Sequence, residues 1–164
     1  MVIHQTTSVT ITFRQKESVL LLQWLRKPDS VQLKDTYMRA LAYVCCNRQT
    51  YYFCTDQSLI GSLDREQEEW LNQEFYPKVY DCIQGEIFAA VVFNNDHFKA
   101  LVTNYQVPAL LPQQHFIQFN YFTKLQEALQ WLSDIRKGQD EAFLAPHTGL
   151  LSGSRVFASR ENSQ

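Results

Sequence analysis

The chain has 164 residues, of which 45% are hydrophobic and 13% aromatic, and its formal net charge is −2. This length suits one domain with a sizeable core, and the composition excludes global disorder. Nucleic-acid-binding domains carry a basic stripe, whereas Arg26-Lys27 and Arg136-Lys137 are two-residue patches. Nucleic acid is therefore not expected as a partner.

The chain shows no sign of membrane targeting. Residues 1–6 have no basic segment followed by an apolar one, and the run from Val19 to Leu22 is far too short to span a bilayer. We expect a cytoplasmic protein without stable membrane insertion.

The first predicted elements form a β-hairpin. Residues 8–14 alternate between apolar and polar, as in a strand with one buried face. Residues 15–18 form a polar turn, and residues 19–25 are continuously apolar, which is typical of a strand covered on both faces.

Helices and strands then alternate. Residues 28–30 end the second strand and cap a helix over residues 31–47, whose apolar residues recur at three- and four-residue spacing. Residues 51–54 form the third strand, and residues 55–61 form a loop.

A second helix follows Ser62, which is its predicted N-cap, and the acidic residues Asp64, Glu66, Glu68 and Glu69 suit its first turns. It passes or kinks at Pro77. Gly85 closes the connection to a central strand over residues 86–93.

The last elements are a short helix over residues 97–104, a strand over residues 116–122 and a helix over residues 123–132 with Thr123 as its N-cap. From residue 137 the periodicity ends and glycines and serines become frequent. We therefore place a domain at residues 1–137 and an appended tail, partly docked or flexible, at residues 138–164.

The four cysteines, Cys45, Cys46, Cys54 and Cys82, show no C-x-x-C pair and no zinc-ligand spacing with histidine. We expect them to be small buried apolar residues in a reducing cytosol. Neither a metal nor another cofactor is expected.

Across residues 8–132 the chain resembles the STAS-like fold, in the SpoIIAA-like branch of small bacterial proteins. Three local features carry this resemblance. They are the apolar strand ending in Trp24-Leu25; Ser62-Leu63-Asp64 with Trp70-Leu71 and Tyr76-Pro77, followed by Gly85 and residues 87–92; and Tyr121-Phe122 with Glu127-Ala128-Leu129-Gln130-Trp131-Leu132.

The resemblance implies an α/β fold with a mixed sheet of four or five strands, packed helices and the element order ββαβαβαβα. It also implies a non-enzymatic role, since relatives bind a partner protein in sigma-factor control or form domains of anion transporters. The expected function is protein–protein interaction of the anti-sigma-antagonist kind. This inference is an analogy from fold.

In phosphorylatable STAS proteins a serine follows an aspartate at the start of the second helix. The nearest match is Asp56-Gln57-Ser58, with Ser62 at the helix start, so Ser58 and Ser62 are candidate phosphorylation sites. A plain N-cap is the alternative role of Ser62.

The segment over residues 56–76 is the predicted partner surface, with Asp56, Arg65, Trp70 and Tyr76 as its candidates. The two aromatic residues lie on an otherwise acidic helix and are expected to be partly exposed.

No residue pattern predicts catalysis. Glu68 and Glu69 are neighbours on a helix and point apart, so they do not converge on one substrate atom. His97 and His115 have no nucleophile or acid partner suggested by spacing. We expect a protein that is not an enzyme.

Two alternatives stay open at this stage. The aromatic residues exceed what a minimal core needs, so a subset can line an apolar pocket for a small ligand or lipid, as in the related CRAL-TRIO architecture. A homodimer is a further expectation, through the strand at residues 8–14 or through the tail.

Overall fold

A six-stranded mixed sheet organises the computed structural model, which describes residues 1–103 and 116–144. The strands are β1 Val2–Gln5, β2 Val9–Arg14, β3 Val19–Trp24, β4 Tyr52–Asp56, β5 Ile87–Val92 and β6 Ile117–Phe122. Their order across the sheet is their order in the chain; β1, β2 and β3 pair antiparallel, and β3 to β6 pair parallel.

The helices cover both faces of the sheet. They are α1 Ser30–Cys46, α2 Arg65–Trp70, α3 Tyr76–Ile83, α4 Asn95–Thr103 and α5 Leu125–Leu144, and a π-helical segment, Leu71–Phe75, joins α2 to α3. The predicted α/β class with a mixed sheet and packed helices is confirmed. The predicted strand number of four or five is wrong, because β1 adds a sixth strand beside the expected hairpin.

Strand β3 shows why the central strands are apolar throughout. Leu20, Leu22 and Trp24 point to the face covered by α1 and α3, whereas Val19 and Leu21 point to the face covered by α5. All five side chains are at most 3% exposed. Full burial of such a side chain contributes about 1.5–3 kcal/mol, so the two helical layers hold the parallel strands between them.

The helix that crosses from β4 to β5 accommodates a proline in its middle. Pro77 has no N–H, and its ring would clash with the carbonyl of Gln73 in a regular α-helix. Directly before it, the Tyr76 N–H donates to the Leu71 carbonyl five residues back, which defines the π-helical turn. The helix therefore passes Pro77, as predicted, by widening locally.

Helix α5 extends beyond the predicted domain boundary. It continues through Gly138 to Leu144, and the Tyr52 hydroxyl on β4 donates a 2.7 Å hydrogen bond to Oε1 of Gln139. The predicted boundary at residue 137 lies within this helix, since residues 138–144 belong to it. The expected contacts of residues 145–164 lie outside the described residues. The helix begins at Leu125, two residues after the predicted N-cap Thr123.

The cysteines differ from expectation. Cys45, near the end of α1, forms a disulfide with Cys82 in α3, and Cys46 is exposed. The expectation that all are buried free thiols is thus correct for Cys54, where burial raises the pKa to about 12, and wrong for the other three. Sequence spacing gave no sign of the pair because it spans 37 residues and depends on the packing of two helix ends.

Within the described ranges, none of the helices combines the length and the apolar composition that crossing a bilayer requires.

The contact between Tyr52 and Gln139 predicts that residues past 137 stabilise the domain. Gln139→Ala should lower the free energy of unfolding by about 1 kcal/mol, because it removes the acceptor of a partly buried hydroxyl. In a protein that already carries Tyr52→Phe, Gln139→Ala should have a smaller effect on the free energy of unfolding, as measured by a double-mutant cycle of urea unfolding. Gln130→Ala, which removes an exposed bond to Asp134 on the same helix, is the control and should change stability by less than about 0.5 kcal/mol. Additive effects of the Tyr52 and Gln139 substitutions would contradict the docking of residues 138–144.

Candidate functional site

The carboxyl ends of β3, β4 and β5 meet at one end of the sheet. The register aligns Gln23 with Asp56 and Asp56 with Val92, so the residues after each strand emerge side by side. In open α/β sheets, ligands and partners bind at this end of the strands. The loops after the three strands therefore form the candidate site.

Hydrogen bonds tie these loops together. Lys27 Nζ lies 3.0 Å from the Asp64 Oδ1, joining the loop after β3 to the loop after β4. The buried Gln67 side chain donates from Nε2 to the Pro28 carbonyl at 3.1 Å. The Gln57 N–H donates to the Val92 carbonyl at 2.8 Å. The loops are thus presented in a defined arrangement.

Large apolar side chains are exposed on these loops. Leu25 follows β3 and is 47% exposed, Val31 lies in the first turn of α1 and is 78% exposed, and Leu59 follows β4 and is 70% exposed. We call these three residues, together with Asp56 and Ser58, the carboxyl-end surface. Exposed apolar groups framed by polar ones are typical of interaction sites.

Sequence analysis missed the three apolar members of this surface. Leu25 ends an apolar strand and Val31 begins an amphipathic helix, so each fits the pattern of core residues. Leu59 lies in a polar loop. It was the one member whose exposure could have been inferred from the sequence, because a short surface loop rarely buries its side chains.

Asp56 and Ser58 form a local turn. The Asp56 Oδ1 accepts from the Ser58 N–H at 3.0 Å and from the Ser58 Oγ at 2.6 Å. Phosphorylation of Ser58 would remove the hydroxyl that donates to Asp56 and would place a dianion beside the Asp56 carboxylate, which is unfavourable. The geometry therefore gives no support to phosphorylation of Ser58.

The start of α2 lies two residues later than predicted. Asp64 is the N-cap, and it forms a reciprocal capping box with Gln67. Ser62 is exposed and precedes the cap, so its predicted role as N-cap is wrong. As a candidate phosphorylation site it is accessible, but Asp64 places a carboxylate close by in the chain.

The predicted partner residues on this helix separate into exposed and buried ones. The Arg65 side chain is 91% exposed and pairs with Glu69 at 2.9 Å. Trp70 is half-buried, with Lys34 Nζ 5.8 Å from its ring centroid. Tyr76 is 5% exposed and packs in the core, so its expected partial exposure is wrong.

The π-helical segment explains the burial of Tyr76. It accommodates an extra residue in one turn and thereby shifts the helix phase by about 100°. Tyr76 then faces Phe119 on β6, with the ring centroids 5.3 Å apart. Burial raises the pKa of its hydroxyl well above the ordinary value.

The loop after β5 brings a histidine to the same end of the sheet. The Asn94 Oδ1 accepts from the His97 N–H at 2.7 Å, and the Asn94 Nδ2 lies 3.5 Å from the Ser58 carbonyl. The His97 ring packs on Phe93, with centroids 4.5 Å apart, and burial lowers its pKa. Because the Ser58 hydroxyl is directed at Asp56, these groups do not form a nucleophile–base pair.

Metal-binding clusters are absent from the described part of the chain, and two depressions on its surface are open to solvent rather than enclosed. No group of three or more His, Cys, Asp or Glu residues there has a metal-binding arrangement. Two open depressions of about 670 and 580 Å³ lie at the opposite, amino end of the strands. The first is lined by residues including Tyr80 and Glu86, and the second by residues including Tyr43 and Arg48, so their walls are mixed in polarity.

The environment of His97 predicts a measurable pH effect. Its folded-state pKa is lowered, so the native protein favours the neutral imidazole. The neutral ring therefore contributes fully to the stability of the fold above the ordinary histidine pKa of about 6.5. This contribution is lost as the pH falls through the folded-state pKa of His97. NMR titration of the His97 ring should give a lower pKa in the native protein than in urea. An equal or higher native value would contradict the partial burial of this ring against Phe93.

Comparisons with known proteins leave the chain without an assigned relative. No protein-family model matches it, no curated protein matches it, and no solved structure matches it.

Proposed function

We propose that this chain is a non-enzymatic, STAS-like binding module that recognises another protein through its carboxyl-end surface. The observation that carries the proposal is the exposure of Leu25 and Leu59 on loops, and of Val31 in the first turn of α1, at an end of the sheet where hydrogen bonds hold the loops in place. A preorganised apolar surface lowers the entropic cost of association.

The element order supports the STAS-like part of the proposal. From β2 to α5 the chain alternates as two strands, a helix and then three strand–helix repeats, with the second helix divided by its π-helical segment. The resemblance inferred from Trp24-Leu25 and from residues 62–64 has the same order. Its regulatory analogy to sigma-factor control rests on that resemblance alone.

The chemistry of the surface favours a protein over a small molecule. Apolar residues stand out from the loops, and the polar groups beside them are engaged with each other, as in the pair Asp56 and Ser58. Small-ligand sites are instead concave and enclose most of their ligand. No observation in the described residues favours the alternative of an apolar-ligand carrier.

The proposed homodimer needs a different edge from the one expected. Strand β2 lies between β1 and β3, so residues 8–14 do not form an edge strand. The partner at the carboxyl-end surface is then either a second copy of the chain or an unrelated protein.

Replacing an exposed leucine tests the surface directly. Leu59→Asp should weaken binding of the partner at least about tenfold, which corresponds to about 1.4 kcal/mol, because it places an unpaired charge in an apolar contact. The binding affinity is measured by isothermal titration calorimetry, with a partner protein that was first isolated by its affinity for the wild-type chain. Met38→Asp is the matched control, since Met38 is 41% exposed in the middle of α1, about two helical turns past Val31 and outside the carboxyl-end surface as defined. Equal losses in both variants would contradict the assignment.

Native mass spectrometry of protein purified gently from its own host separates the two classes of ligand. The proposal predicts bare chain or chain bound to a polypeptide. A small apolar molecule released on denaturation would instead establish the carrier function.

A further inference from the structure

The disulfide between Cys45 and Cys82 joins two helix ends at the amino end of the sheet. Cys45 lies in the last turn of α1, and Cys82 lies in the last turn of α3. Directly after α3, Gln84 adopts a left-handed conformation and Gly85 lies against the Tyr51 ring, where a Cβ would come within 2.9 Å. The cross-link therefore holds the connection that leads from α3 into β5.

We propose that Cys45 and Cys82 form a reversible thiol–disulfide site whose redox state controls local opening of the end of α3 and of the turn at residues 84–86. The co-reactant is a small-molecule thiol of the glutathione class. This site lies at the opposite end of the sheet from the carboxyl-end surface and does not depend on the proposed function.

Access to the sulfur atoms is the first support. Both cysteines are partly exposed, and Cys45 lines the open depression of about 580 Å³ together with Cys46 and Arg48. A small thiol fits a depression of this size, and its carboxylates would face the Arg48 guanidinium. Buried disulfides lack such an approach.

The packing of α1 on α3 is the second support. Val44 and Val79 are fully buried in one apolar cluster with Ile83, so apolar contact holds the two helices together without the cross-link. Reduction then loosens the helix ends while the domain stays folded, which a reversible cycle requires.

The cysteine pattern is the third support. Cys46 is an exposed free thiol beside the disulfide, and Cys54 is a buried free thiol. An exposed free thiol is itself open to thiol–disulfide exchange, and in a reducing compartment a disulfide is usually catalytic or redox-sensing.

The exchange is balanced in two steps. A thiolate of the small molecule attacks the Cys45 sulfur, the S–S bond breaks, and the Cys82 sulfur leaves as a thiolate that takes up a proton. A second small thiol then displaces Cys45 from the mixed disulfide. The protein gains two electrons and two protons, and the small thiol is oxidised to its disulfide.

Thiol counting in the full-length protein is the first part of the test. In protein isolated without any added thiol or disulfide, a thiol reagent should detect one native thiol, Cys46, and two after denaturation, because Cys54 becomes accessible. After native treatment with reduced glutathione, denaturation should expose all four. Cys46→Ser is the control: it should retain the Cys45–Cys82 bond and remove the native reactivity.

Amide hydrogen exchange is the second part. Reduction should speed exchange in residues 76–86 by at least about tenfold and leave residues 57–64 unchanged. Cys82→Ser should show the same faster exchange as the reduced wild-type protein. If that variant does not fold, the comparison of the oxidised and reduced wild-type protein alone decides the test. Four thiols in the protein as isolated, a bond that glutathione reduces only in denaturant, or equal exchange in both states would each overturn the proposal.

Discussion

The two-sided burial of the central parallel strands determines the rest of this structure. Strands β3, β4 and β5 lie between a helical layer containing α1 and α3 and a second layer formed by α5. Parallel strands covered on both faces present no side-chain surface to a partner, so their backbone ends and connecting loops are where we propose that recognition takes place. The carboxyl-end surface is the consequence of this constraint.

The two ends of the sheet carry different chemistry. At the carboxyl end, Lys27, Asp64 and Gln67 fix the loops that expose the apolar side chains. At the amino end, Cys45 and Cys82 fasten the helix ends. The same helices connect both ends, since α1 begins beside the carboxyl-end surface and finishes at the disulfide. The proposed binding surface and the disulfide are therefore separated by the length of a 17-residue helix, about 25 Å.

Periodicity predicted the fold where burial is regular. The continuous apolar run of β3 and the spacing along α1 follow directly from how each is covered, so both were recognisable in the sequence. Strand β1 was missed because it has four residues, none of them buried, and its pairing with β2 depends on a neighbour rather than on its own pattern.

The candidate site was harder to predict because it depends on tertiary packing. Asp56 was identified at the end of β4 and Arg65 at the start of α2; Asp56 is partly exposed and Arg65 is largely exposed. Tyr76 was assigned to the surface on regular α-helical spacing, which the π-helical turn before Pro77 interrupts. Exposure of Leu59 follows from the conformation of a loop, which composition does not specify.

Residue-level footprinting tests the central claim most directly. Hydroxyl radicals label exposed leucine and methionine side chains, so the wild-type protein can be compared in dilute buffer and in concentrated lysate of its own host. Because lysate components consume part of the radicals, labelling is expressed relative to that of Met38; the account predicts that the relative labelling of Leu25 and Leu59 falls in the lysate. Equal relative labelling in both conditions, or protection of Met38 alone, would contradict recognition through the carboxyl-end surface.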